Sequence, residues 1–400
     1  MAQGRKGGHG KENTLGTENT IRVRHLLGKI REAYYENQRR LQAITPGGGG
    51  REDTARASPE STLKIMMYSK YLFLEIWQSR ILDMPVGEII EGMGIQEYPG
   101  LADILWQDAD TKAFVETMRH QFSAHPYYSL EKTMEMIEKF GFERFWMAAR
   151  RILLFKDAVT VVRYDSDPHG DIAGMDTGIS LARADAAMHA KTENMRRRHE
   201  GPALDATWGK DNPRLVMQEC AVFIHMLRDE LGVASSLYSV YRTRQTLERL
   251  VAASYDSKYM ILEMHDFIMR FEKLNLAARP GFLENKSEYR DKRNQYAAHV
   301  DGKERITSVM ELYRRDSQFM PALLMDMEEA VLLSRRLFPD YVPDARFRLP
   351  TLSRIAEMEG ELDRVRRESH ERLGNKFLDS RYERDCGKLR SRVDRELELR

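Results

Sequence analysis

The sequence predicts an all-α fold: two helical bundles in one chain, with helical additions at both ends. Three observations carry this. Apolar residues return at helical intervals through both halves of the 400-residue chain. No two strand-like stretches offer each other a partner. And one short motif is written twice, RHQFSAH at 119–125 and RNQYAAH at 293–299, one copy in each half.

Residues 1–17 are glycine-rich and polar, too poor in apolar groups to offset the entropy of ordering, and are expected to be disordered. They read as neither signal peptide nor membrane anchor. Over 18–45, Ile21, Leu27, Ile30 and Tyr34 recur as on one helix face. PGGGG at 46–50 interrupts the chain, and the polar stretch to residue 61 reads as a flexible loop.

The first bundle is expected over 62–164. STLKIMMYSKYLFLEIWQSRIL is almost continuously apolar or aromatic, the mark of a helix buried all round. TKAFVETMRHQFSAH, SLEKTMEMIEKF and FERFWMAARRILLFK supply three more helices, and AVTVVRY at 158–164, though β-branched, reads as a helix end or loop.

Residues 165–212 turn polar and are expected to be a linker. Within them Asp165, Asp167, His169, Gly170 and Ile172 fall at calcium-loop offsets, but Pro168 and His169 are poor choices and Asp176 replaces the bidentate glutamate. A mobile linker that binds no metal is the expectation.

The second bundle, 213–343, opens with NPRLVMQECAVFIHMLRDELG. It continues through Tyr238, Leu250, Tyr259, Ile261 and Phe267 and closes with SQFMPALLMDMEEAVLLSRRLF. Over 344–400 a narrow seam of Ile355, Met358, Leu362 and Val365 on a charged helix is expected to pack on its own domain or on a second copy, making a homo-oligomer.

Lysine and arginine (63) balance aspartate and glutamate (62), so any RNA-binding surface must be a local patch, with MRRRH at 195–199 the better candidate outside the motifs. Two cysteines, Cys220 and Cys386, suit a reducing cytoplasm and make neither a disulfide framework nor a four-ligand zinc site. No stretch is apolar enough for a membrane span, and no metal or other cofactor is called for.

Chance recurrence of Arg-x-Gln-aromatic-small-Ala-His in a chain of this length is on the order of one in a thousand before allowance for choosing the pattern afterwards. The copies lie 174 residues apart, as an internal duplication would place them. RNQYAAH, with YRDK before it and VD after, resembles the signature of the HEPN superfamily, helical domains in which an arginine precedes a histidine by five to seven positions. It is most similar to the HEPN domains of abortive-infection and toxin systems. The first copy is weaker, with His120 where the second has the polar Asn294.

On a regular helix six residues leave Arg293 and His299 about 120° apart, so one copy clamps a phosphate poorly and two facing copies do better. Pro126 and Gly302 place His125 and His299 near helix C-termini, where the dipole favours imidazolium. An arginine fork holds a phosphate and stabilises charge growing on it, and a histidine moves protons to and from ribose and leaving-group oxygens. Arg119, His125, Arg293 and His299 are therefore the candidate catalytic set, with His120, Asn294 and Arg290 as supporting or substrate-binding residues.

The expected activity is metal-independent cleavage of single-stranded RNA in defence or stress, leaving 2′,3′-cyclic phosphate and 5′-hydroxyl ends. The resemblance implies the same composite site, between two domains or across a dimer, and allows an antitoxin, activator or other defence protein as partner. It also gives Tyr127 a reading as a modification site, because some HEPN toxins carry a His-x-Tyr. The rival reading is a non-catalytic HEPN-like scaffold that binds RNA, nucleotides or protein, with each Arg-His pair a solvated helix end.

Overall fold

The computed structural model describes residues 22–39 (apart from 24, 34 and 38), 54–56, 59–78, 109–124, 130–141, 168–206, 214–274, 276, 279–298, 306, 309–339, 348–350, 357 and 360. These residues form an all-α fold. Their strands are two three-residue segments, β1 (Thr54–Arg56) and β2 (Arg348–Pro350), paired antiparallel with Ala55 opposite Leu349. Among the described residues no helix is long and apolar enough to cross a membrane.

The chain divides into two compact units, one built on residues 16–166 with 343–384 and the other on 167–342. In the first unit, helix α1 over 22–39 buries Val23, Leu26, Leu27, Ile30 and Ala33. α2 (Pro59–Gln78) is its centre. From Ile65 to Ile76 every residue of α2 is buried, which is why the sequence there shows no polar face. α1 belongs to this unit through an ion pair, Arg22 Nε to Glu75 Oε1 at 3.0 Å, with side chains 1% and 0% exposed. α3 (Ala109–Met118) packs on α2, and α4 (Leu130–Phe140) follows. Phe114 of α3 stacks on Phe140 at 3.9 Å between ring centres. FERFWMAARRILLFK and AVTVVRY lie outside the described residues.

The second unit holds α5 (Pro168–His199), α6 (Arg214–Tyr241), α7 (Arg244–Tyr255), α8 (Ser257–Phe271), α9 (Lys286–Lys292), α10 (Val309–Arg315) and α11 (Phe319–Leu337). α8 is buried along its whole length apart from its last turns and His265, and is the counterpart of α2. A capping box of Thr243 and Thr246 starts α7.

Two expectations are corrected, and one basic stretch gains partners. The stretch read as a linker, 165–212, is mostly the 32-residue helix α5, packed on α7 and α11. Gly178 lets α5 approach α7 so closely that a Cβ there would sit 3.3 Å from the Leu250 carbonyl oxygen. The calcium-like offsets are wound into this helix from Pro168 onward. The basic stretch MRRRH is tied down at both ends: Arg196 meets Glu328 at 3.5 Å and His199 Nε2 meets Glu329 Oε1 at 3.1 Å. The neighbouring Arg228 meets Asp185 at 2.6 Å, while Arg196 remains 55% and Arg197 71% exposed. Second, the loop over 46–61 contains β1 and the start of α2, and the C-terminal extension contributes β2 beside it.

Candidate functional site

Both motifs break the regular helix at the same residue. Arg119–Ser123 and Arg293–Ala297 are single π turns. Each is closed by an i→i+5 bond in which the alanine N–H donates to the arginine carbonyl: Ala124 to Arg119 and Ala298 to Arg293, both 2.7 Å. Single π turns are rare and often stand at functional sites. The 120° separation expected from a regular helix therefore does not apply, because the turn is widened between the arginine and the position of the histidine. His125, Tyr127 and His299 lie outside the described residues.

The packing beneath each turn is also duplicated. α2 carries SKYLFLE at 69–75 and α8 carries SKYMILE at 257–263, identical at five of seven positions. All fourteen side chains are at most 1% exposed. Lys70 lies 5.8 Å from the Phe122 ring centre and Lys258 6.0 Å from that of Tyr296, so the aromatic of each motif covers a buried ammonium. In the first copy Ser123 Oγ also donates to the Lys70 carbonyl at 2.6 Å. The likeness of the two copies thus extends beyond the seven-residue motif, and Lys70 and Lys258 are residues beneath the turns that the motifs alone do not reveal. Aligning the two halves on the motif hid them, because the first copy has 14 more residues between lysine and arginine (49 against 35).

The arginines are buried, Arg119 to 6% and Arg293 to 5% exposure, rather than solvated at a helix end. Each donates from an Nη atom to the exposed side chain that follows it: Arg119 to His120 Nδ1 at 3.0 Å, Arg293 to Asn294 Oδ1 at 3.1 Å. The same Arg119 nitrogen also lies 3.4 Å from His120 Nε2, and since arginine has no acceptor the imidazole is the accepting partner. Partial desolvation and then the Arg119 charge hold the His120 imidazole below its ordinary value, which keeps it neutral for that role. Trp77, at the exposed end of α2, faces both groups. Its ring lies 5.6 Å below the Arg119 guanidinium and 6.0 Å from the His120 ring, edge to face.

In the second copy His265 occupies the position of Trp77 and contacts Asp266 Oδ1 through Nδ1 at 3.2 Å. A polar anchor precedes its π turn: Tyr289 Oη and Asn285 Nδ2 donate to Asp326 Oδ2 of α11 at 2.9 and 2.8 Å. Burial pushes the Asp326 carboxyl upward despite these two donors, and pushes the Tyr289 hydroxyl well up. The loop beyond the motif returns to the turn, where Ile306 N–H donates to the Gln295 carbonyl at 3.0 Å. Arg290 stands apart, 60% exposed and 3.5 Å from Asp291, on the solvent side of α9.

Among the described residues no group of His, Cys, Asp and Glu is placed to hold a metal ion. Comparison of the chain with protein-family models, with curated proteins and with solved structures finds no match.

Proposed function

We propose that the protein is an endoribonuclease that needs no metal. Arg119, His125, Arg293 and His299 form its composite site, and its products carry 2′,3′-cyclic phosphate and 5′-hydroxyl ends. The observation that carries this reading is the twofold construction of the motif: two buried arginines, each held on a π turn by the packing beneath it and each oriented by the next side chain. A guanidinium fixed in this way has little freedom left to lose on meeting a phosphate. Two residues past each turn in the sequence comes a histidine, the side chain best suited to move a proton near neutral pH. The resemblance to HEPN ribonucleases supports the same chemistry, with single-stranded RNA as substrate and a role in defence or stress.

The test is cleavage of single-stranded RNA in the presence of EDTA, with the ends of the products identified. The reading expects cleavage that survives EDTA, cyclic phosphate ends, and resistance of the corresponding DNA, which lacks the 2′-hydroxyl nucleophile. Loss of cleavage on EDTA treatment, or 5′-phosphate ends, would overturn it.

A second reading is favoured by the burial of both arginines and by the cation–aromatic pairs beneath them. On this view the motif is a device of helix packing in a non-catalytic RNA-binding or protein-binding scaffold, and replacing both histidines leaves function intact.

A further inference from the structure

The two copies build the same turn with different surfaces. Position 77 is tryptophan where its counterpart is His265, and position 120 is histidine where its counterpart is Asn294. Since the second copy makes its π turn and buries its arginine with histidine and asparagine, the fold does not require the aromatic pair of the first. Trp77 is part-buried and His120 exposed, so the pair lies at the surface. Arg119 sits over the Trp77 ring at 5.6 Å and bonds His120, so a fixed positive charge adjoins two aromatic rings.

We infer that Trp77 and His120 form a binding platform for one unpaired nucleobase of a single-stranded RNA, with the phosphate beside that base directed to Arg119. Aromatic rings beside a cation are the arrangement by which proteins hold single strands, because every base has a π face and every nucleotide a phosphate. His120, exposed beside the Trp77 ring, adds a second aromatic surface and a polar edge to the platform. The inference deepens the ribonuclease reading by assigning base contact to the first copy.

The test uses the full chain carrying His125→Ala and His299→Ala, so that RNA stays intact, and a fluorescein-labelled 12-nucleotide single-stranded RNA followed by anisotropy. Trp77→Ala should weaken binding ~10-fold, the usual effect of losing one stacking partner, and Trp77→Phe should retain most of it. The double change Trp77→His with His120→Asn converts the pair into the one the second copy already tolerates. It should fold with unchanged helical circular dichroism and bind as weakly as Trp77→Ala. Binding within twofold of the parent in the double variant would overturn the inference and leave the ribonuclease reading standing. Absence of RNA binding by the parent would also overturn it. Cleavage by the chain with both histidines present is scored separately, so failure of the nuclease shows as intact RNA while binding is still measured.

Discussion

Lys70 and Lys258 are charged residues in places where charge is expensive. A buried ammonium is tolerated when a π face or hydrogen-bond acceptors replace its water, and in each unit the motif's aromatic is one such replacement. Phe122 and Tyr296 each present a ring to the buried ammonium of their unit. Tyr296→Phe keeps that ring and should cost less stability than its removal. Tyr296→Ala, which opens a cavity beside Lys258, should cost ~3–5 kcal/mol by urea denaturation. Equal effects of the two substitutions would contradict this account of the motif.

His120 offers a second residue-level test. Its folded-state value lies below the ordinary 6.5, through partial desolvation and the Arg119 charge. The unfolded chain then binds more protons in the window between the lowered value and the unfolded one. Stability from this contact is complete above the unfolded value and declines as pH falls through that window. An NMR titration of His120 with a midpoint above its ordinary value would show that it is not neutral against Arg119.

At the scale of elements, the buried pair Arg22–Glu75 ties α1 to α2. Glu75→Ala removes this buried partner of Arg22 and should destabilise the first unit by up to about 3–5 kcal/mol, read as a lower urea midpoint. A change below ~1 kcal/mol would mean that the pair is dispensable. The elements differ in how far they could be read from sequence. α2 was legible because its almost continuously apolar text leaves no polar face, and α8 only as part of a longer pattern through Tyr259, Ile261 and Phe267. α5 was not, since its Gly-, Asp- and Arg-rich text is held in helical form by tertiary partners: close approach at Gly178, and ion pairs from Arg196 and His199 to α11. Propensity yields to such packing. The motif itself was legible as a repeat, but its π turn was not, because an i→i+5 bond leaves no residue signature. The buried lysines were legible in principle through SKYLFLE and SKYMILE, and were hidden by the unequal spacing to the motif.

At the scale of the whole molecule, one chain carries two units with a shared construction: a buried helix bearing Ser-Lys-Tyr-x-x-Leu-Glu and, packed against it, a π turn of Arg-x-Gln-aromatic-small closed by the alanine that follows. Duplication of this kind supplies two arginines and two histidines from a single polypeptide, the number that the proposed phosphate chemistry uses. The copies differ at the surface positions 77 and 120 and also in buried pairs such as Phe73 and Ile261, while Ser, Lys, Tyr, Leu and Glu of the buried helix are kept.

The claim that both histidines serve one reaction centre is tested most directly by single-turnover cleavage of single-stranded RNA in EDTA, comparing His125→Ala, His299→Ala and the double variant. Each single change should lower the rate ~10²–10⁴-fold, as loss of a general acid or base does. The double change should cost little more than either, because groups acting as one unit are not additive. A double variant that cleaves as fast as the unmodified chain would contradict the account.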